Sequence, residues 1–347
     1  MIPNLATAPQ AVPPWTAGAA TGSPSASLSE HAPSLSAALD FSIALATRNR
    51  ARVLGLTLAS LTRLDTGSLR WELVVVDNGS TDYTQLTVRR FATRLPIRYE
   101  FEPQPGKSIA LNRVAATLRG RLVCFTDDDI IFPPHWMKHA VAWTDRHPAF
   151  GAFAGPVSPI WTRSNRAAFL RHPYAPQAYT ICDRGDRPHE YPAQSWPPGA
   201  NTVYRRELLP LPPFDPDLGP VGTTRLIGND TALAKRLAAR GVRILYVPEI
   251  RAGHIIQPAQ VSPVYLWRRS YQRAKTLAHQ GLVAPAPRLA GIPRWMFGEL
   301  ARRAGRLLLG WTGLTRSPRI NAEIDLADIL GWIAGARRTR HHQGAHP

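Results

Sequence analysis

From Phe41 onward the chain alternates between two hydrophobic periods. "FSIALAT" (41–47) is an apolar run of strand length. The residues after it, "RARVLGLTLASLTRL", set Val53, Leu54, Leu58, Leu61 and Leu64 at helical spacing. "WELVVVDNGSTD" (71–82) is a β-branched run broken by Asn-Gly-Ser. "YTQLTVRRFATRL" then predicts a helix, "IRYEFE" (97–102) a third strand, and "GKSIALNRVAATL" (106–118) a helix opening at a glycine; "LVCFT" is the fourth strand. Strands alternating with helices predict a parallel α/β sheet, whose ligands sit at the carboxyl ends of the strands. "DNGSTD" and "DDD" both fall at such ends.

The second half opens with "FGAFAGPVSPIW" (150–161) and a Pro-rich stretch to Trp196. "PPGANTVYRREL" (197–208), "FDPDLG" (214–219) and "GNDTALAKRLAARG" (228–241) follow, and "VRILYVPEIRAGH" (242–254) reads as one strand running to His254. Residues 1–38, rich in Pro, Ala, Ser and Gly without periodicity, are expected to form a disordered leader. Residues 39–260 make the patterned domain, with halves 39–149 and 150–260, and 261–347 a basic helical extension. In that extension, "GELARRAGRLLLGW" (298–311) sets Leu300, Ala304, Leu307, Leu308 and Trp311 on one helical face, with Arg302, Arg303 and Arg306 off it. An interfacial helix or one packing on the domain has this composition.

Composition narrows the class. With 347 residues, 44% of them hydrophobic, the chain can bury a substantial core. Two cysteines make no disulfide framework, and Cys124, inside an apolar run, reads as a buried small hydrophobe. The formal charge is +18, but only four of the 42 basic residues are lysine, a bias of composition rather than of a phosphate-binding groove, so no nucleic-acid partner is expected. Residues 261–347 hold 14 Arg and Lys against four Asp and Glu, a net of +10, so attraction to an anionic surface is local to the C-terminus. A basic n-region followed by an apolar core is missing at the start, and no apolar stretch approaches the ~18 residues of a membrane span. The expected location is cytoplasmic, peripheral on the inner face of the plasma membrane.

The chemistry concentrates at Asp127, Asp128 and Asp129, which follow a strand fit for burial. Carboxylates so close repel one another unless a cation lies between them. Asp127 and Asp129 are the natural pair for a hard divalent ion such as Mg2+ or Mn2+, with Asp128 pointing elsewhere.

Taken together and in order, these motifs make the chain from Phe41 to about His254 resemble the family 2 glycosyltransferases, inverting enzymes of the GT-A nucleotide-sugar-binding fold. "IALATRNR", "ELVVVDNGSTD", "PGKSIALNRVAA", "FTDDDIIFPPHWM", "PPGANTVYRREL" and the segment from Gly228 to His254 carry the likeness. The resemblance implies a mostly parallel central sheet flanked by helices, a nucleotide-diphosphate sugar donor, a saccharide or lipid-linked saccharide acceptor, and a Mn2+ or Mg2+ cofactor. It assigns Thr47, Asn49 and Arg50 to the nucleotide pocket and Asp77 to the nucleobase, with Asp82 a weaker partner there. Asp127 would touch the ribose or metal, Asp129 would hold the metal, and Asp128, Lys107 and Asn112 belong to the nucleotide-sugar side. His254 would be a further metal ligand, and Arg268 and Arg269 would close over the diphosphate. Gly199, Ala200, Asn201 and Asn229 would form the acceptor side. Where the family has Glu-Asp, this chain has Asn229-Asp230, which leaves Asp230 as the general base; the bland reading is a helix N-cap. A nucleotidyltransferase of similar topology lacks the glycines it would need in "ATRNRAR". A non-catalytic basic membrane or nucleic-acid-binding protein would not need Asp127, Asp129 and Asp230 together.

Overall fold

The computed structural model describes residues 39–162, 172–221, 224–311 and 319–338; the expected leader and the last residues of the basic tail lie outside them. The first half follows the predicted alternation: β1 (Leu39–Thr47), α1 (Ala51–Leu61), β2 (Trp71–Asp77), α2 (Thr84–Phe91), β3 (Ile97–Phe101), α3 (Lys107–Ala115) and β4 (Gly120–Thr126). A short β5 (Ile130–Ile131) and α4 (Trp136–Arg146) come next. The second half contains β6 (Ala152–Ala154), β7 (Val157–Trp161), α5 (Ala175–Ala178), β8 (His189–Glu190), β9 (Thr202–Arg205) and the antiparallel pair β10 (Gly219–Val221) and β11 (Thr224–Leu226). It continues with α6 (Asn229–Ala239), β12 (Ile244–Tyr246) and β13 (Ala252–Ile256). Past these lie α7 (Pro263–His279), β14 (Arg288–Leu289), β15 (Ile292–Pro293), α8 (Arg294–Trp311) and α9 (Arg319–Arg338).

The main sheet has eight strands in the order β3-β2-β1-β4-β9-β6-β12-β8. β3, β2, β1 and β4 are mutually parallel, and β9 and β8 run antiparallel to their neighbours. Both faces are covered, so the central strands carry unbroken buried apolar runs, 43–45 in β1, 73–76 in β2 and 122–125 in β4, as two-sided burial favours. Phe41, Ile43 and Leu45 of β1 face Leu54, Leu58 and Trp136 on one side. Ala44 with Val74 and Val76 of β2 faces Leu111, Val114 and Leu237 on the other. Register aligns the carboxyl ends: Thr47 pairs with Asp77 and Leu45 with Thr126, so the acidic turn after β4 opens beside the tips of β1 and β2.

The expected single strand over 242–254 is instead two. β12 stays in the main sheet beside β6, whereas β13 enters a three-stranded sheet between β5 and β7. Pro248, which has no N–H to offer a ladder, lies in the break. Gly155 permits the crossing there, since a Cβ on it would lie 2.2 Å from the Ile250 carbonyl oxygen. This switch carries His254 to its place: His254 pairs with Ile130, and the Ile255 N–H donates to the Asp129 carbonyl at 2.8 Å.

The C-terminal extension packs on the half spanning residues 150–260 through α7. Leu266 joins Ala175, Tyr179, Ile256 and Ile324 in one apolar cluster, and the Ile227 N–H donates to Thr276 Oγ1 at 3.0 Å. Leu300, Ala304 and Leu307 of α8 are half-buried, as is Arg303, which the apolar pattern had set on the outer face. Among the described residues no helix is long and apolar enough to cross a membrane.

Where β1, β2 and β4 meet, buried polar groups tie the strands. Ser42 Oγ donates to Glu72 Oε1 at 2.7 Å and accepts from the Gly120 N–H at 2.8 Å, and the Arg119 N–H donates to Glu72 Oε1 at 2.7 Å. Gly120 has no room for a side chain, because a Cβ would meet Ser42 N at 2.3 Å and Phe41 C at 2.4 Å. Gly120→Ala is therefore expected to destabilise the fold by about 3 kcal/mol, read from the midpoint of denaturant unfolding followed by circular dichroism.

Candidate active site

The three carboxylates after β4 divide between two sets of cations: Asp128 and Asp129 share Arg50, and Asp127 takes Lys107. Asp128, only 3% exposed, accepts from Thr47 Oγ1 at 2.7 Å and pairs with Arg50 at 3.0 Å, while Thr57 Oγ1 donates to its backbone carbonyl at 2.8 Å. Asp129, 4% exposed, places Oδ2 at 2.6 Å from Arg50 and 3.4 Å from His254 Nε2. Asp127 turns the other way, to Lys107 Nζ at 2.5 Å, and the same ammonium lies 3.8 Å from Asp230 Oδ2. The expected trio of Asp127, Asp129 and His254 does not converge; among the described residues no three such side chains do. Asp129 and His254 come together, and Asp127 joins Asp230 across Lys107.

Electrostatics separate the acids. Burial opposes ionisation of Asp129, but the hydrogen bond and charge of His254, with Arg50, outweigh it and hold the carboxyl down at about 2. Burial pushes Asp128 up to about 7, against the pull of Arg50. Burial also raises Asp230, countered by Lys107 and reinforced by Asp127. For Lys107 burial acts to lower the pKa, but Asp127 and Asp230 raise it above its ordinary value. His254 is likewise raised: burial works against the imidazolium and the Asp129 carboxylate prevails.

A divalent ion fits this site on two observations. Asp129 Oδ1 is buried without a hydrogen-bond partner. The Tyr179 carbonyl lies 2.7 Å from His254 Nδ1, so that nitrogen carries a proton and Nε2, toward Asp129, is the nitrogen left to bind. The carboxylate oxygen suits a hard ion such as Mn2+ or Mg2+, and the imidazole nitrogen favours Mn2+ of the two.

Asp230 lies in the first turn of α6, whose N-cap is Gly228, and no side-chain bond caps that end. The bland reading of Asn229-Asp230 as a cap is thus not realised. Gly199 sits against Asp230: a Cβ would fall 2.1 Å from its carboxyl carbon, so only glycine leaves the acid its position. Asn229 is buried beside it with Nδ2 unpartnered.

Other predicted site residues are turned to structural partners. Asp77 accepts from the Ser80 N–H and from the Tyr99 hydroxyl, both at 2.8 Å. Asn49, at φ 52°, accepts from the Thr81 N–H at 2.7 Å and donates its own N–H to Ser80 Oγ. Asn112 brackets the Phe214 backbone at 2.7 and 3.0 Å. Asn201, fully buried, donates to the Pro156 and Ile250 carbonyls and accepts from Trp136 Nε1. Ala200 offers its carbonyl to Thr126 Oγ1 at 2.8 Å. On α7, Arg268 is exposed and Arg269 lies near the Tyr174 ring; no contact joins either to the acids among the described residues. Tyr99, Thr57 and Tyr179 were missed by sequence reasoning, since nothing local distinguishes a tyrosine or threonine that meets an acid or a histidine from one that does not. Asp82 does more than expected, accepting from the Ala51 N–H and the Thr84 N–H, both at 3.0 Å, at the starts of α1 and α2.

A mostly parallel sheet with acids and cations gathered at its carboxyl edge is the arrangement of a GT-A glycosyltransferase. Residues 42–209 match the sequence profile of glycosyl transferase family 2. The chain is 34% identical over 118 residues to validoxylamine A glucosyltransferase of Streptomyces hygroscopicus subsp. jinggangensis, covering 33% of this chain and 26% of that protein. It is 29% identical over 143 residues to beta-monoglucosyldiacylglycerol synthase of Synechocystis, covering 38% and 30%. The matches thus span about a quarter to a third of these relatives' lengths. In fold it is similar to a mannosyltransferase of Pyrobaculum calidifontis solved with GDP-Man and Mn2+, with a TM-score of 0.57, 22% identity and 90% of each chain covered.

Asp128, raised in the folded state, contributes stability that is complete below an unfolded carboxyl pKa of about 4 and is lost as pH rises through about 7. Asp129, depressed, contributes stability that is present above that value and is lost as pH falls toward about 2. In EDTA, Asp128→Asn is expected to raise the thermal midpoint at about pH 8 and change it little at about pH 5, whereas Asp129→Asn lowers it at both. Thermal unfolding of the two variants in the two buffers checks the pair.

Proposed function

We propose that the chain is an inverting, metal-dependent glycosyltransferase that moves a sugar from a nucleotide-diphosphate sugar to a hydroxyl acceptor. The observation that carries this reading is Asp230: a half-buried carboxylate of raised proton affinity, opposite the ammonium that also holds Asp127. A sugar hydroxyl is a weak nucleophile at neutral pH, so inversion needs a base that takes its proton as the new C–O bond forms. Asp230 is that base, and Gly199, by lacking a Cβ, leaves it room.

Lys107 serves two acids at once. It keeps Asp127 ionised on the donor side and lies near enough to Asp230 to stabilise its carboxylate before it accepts a proton. Arg50 and Thr47 fix Asp128 and Asp129, and Tyr179 fixes the His254 tautomer, so the donor pocket is set before substrate enters. Asp129 and His254 would hold the Mn2+ or Mg2+, which when bound offsets the negative charge of the departing nucleoside diphosphate. Asp77, already engaged by Tyr99 and Ser80, presents its turn to the nucleobase.

The acceptor in this reading is a saccharide or lipid-linked saccharide of an envelope polysaccharide, extracellular polysaccharide or glycolipid, elongated at the cytoplasmic face of the membrane. The glycolipid named for the Synechocystis relative supports that class of acceptor. Mn2+ bound in the similar Pyrobaculum structure supports the choice of metal.

Thermal-shift titration with UDP, GDP and dTDP sugars, in Mn2+ and in EDTA, tests the donor. One of them is expected to raise the melting temperature only with metal, and Asp129→Ala to abolish that rise. Asp230→Asn is expected to lower transfer by about a thousandfold while the metal-dependent shift persists. Stabilisation by no donor, or a donor shift lost in Asp230→Asn, would overturn the assignment.

A further inference from the structure

The outer face of α8 is not what periodicity alone suggested. Met296 and Leu300 pack with Ile329 and Ile333 of α9, and Arg303 turns the same way to reach Asp328 at 3.0 Å. At ~100° per residue, the opposite side is flanked by Trp295 (45% exposed) and Phe297 (38%), with Leu308 (69%) and Leu309 (48%) between them. Arg294, Arg302 and Arg306, all exposed, lie among and beside them. The single carboxylate of the helix, Glu299, has a side chain only 12% exposed and is shared by Arg302, Arg303 and Arg306. Arg306 also lies 4.0 Å from Asp325 of α9, so the outward surface joins large apolar groups to an excess of positive charge that Glu299 and Asp325 offset only in part. From Trp295 to Leu308 it runs about 20 Å.

A helix side evolved only for solvent would mix charges of both signs and would not leave Trp, Phe and Leu in water. A second copy laid face to face would set one arginine row against another, which like-charge repulsion opposes. An anionic lipid surface satisfies both parts: Trp295, Phe297 and Leu308 enter the acyl boundary while Arg294, Arg302 and Arg306 meet the phosphates. We infer that this face of α8 docks the chain, parallel to the bilayer plane, on an anionic membrane leaflet. The surface shares no residue with the acid cluster, so it stands or falls apart from the donor chemistry.

Sedimentation of the full chain with vesicles of phosphatidylcholine alone, and of phosphatidylcholine with phosphatidylglycerol, tests this at low and high salt. The wild type is expected to pellet with the phosphatidylglycerol vesicles and to be partly released by salt. Arg302→Gln and Arg306→Gln are each expected to weaken that binding about fivefold. The pair Phe297→Ser and Leu308→Ser is expected to weaken it at least about tenfold. All four positions are exposed, so the circular dichroism melts should match the wild type. A wild type that stays in the supernatant, or binding that none of these changes reduces, would overturn the inference. So would a dimer, seen by light scattering, that Leu308→Ser dissociates while vesicles bind nothing. Vesicle binding without any donor-induced stabilisation would sink the proposed chemistry and leave the docking surface intact.

Discussion

Two carboxylates almost out of water, side by side, are the constraint around which this molecule is organised. Asp128 and Asp129 are 3% and 4% exposed, and charge at such sites is tolerated only when opposite charge and hydrogen bonds reach it. Arg50 from the turn after β1, Thr47 from the tip of β1 and His254 from β13 all converge there. Thr47 and Arg50 come from one end of β1 and His254 from far along the chain, so the parallel order of β1 and β4 and the small sheet around β13 must both form before the acids are compensated. The same groups that make the fold tolerable are the ones assigned to the donor pocket in the proposed function.

Much of this was legible in sequence, and the reason is local. The strand–helix alternation, the turn after β2 and the acids after β4 are written in contiguous residues, so periodicity and turn chemistry found them. Partnerships across the chain were not legible. Asn112 and Asn201 sit in motifs shared with the family, yet both spend their amides on backbone over 40 residues away. Lys107 was expected on the donor side, but its place between Asp127 and Asp230 depends on α3 and α6, distant in sequence, packing on the same face of the sheet. The break between β12 and β13 hid behind a run that looks continuous, and only the Pro248 crossing reveals it.

The C-terminal helices show the same limit at another scale. An apolar stripe in a helix identifies which residues seek cover, but here the cover offered by α9 is itself polar at Asp325 and Asp328. Arg303 bonds to both, to the backbone carbonyl of the first and the carboxylate of the second, and is drawn inward. Leu308 is left on the outside. Which residues are exposed was decided by the neighbour rather than by the helix.

Asp82 has a consequence of a different kind. Through one carboxylate it receives the first amide of α1 and the first amide of α2, while Asn49 laces the preceding turns together. The turns after β1 and β2 are thereby tied to one another, both helix starts through a single side chain. Loss of that one carboxylate would leave the starts of α1 and α2 without a shared acceptor, so the two turns would loosen together.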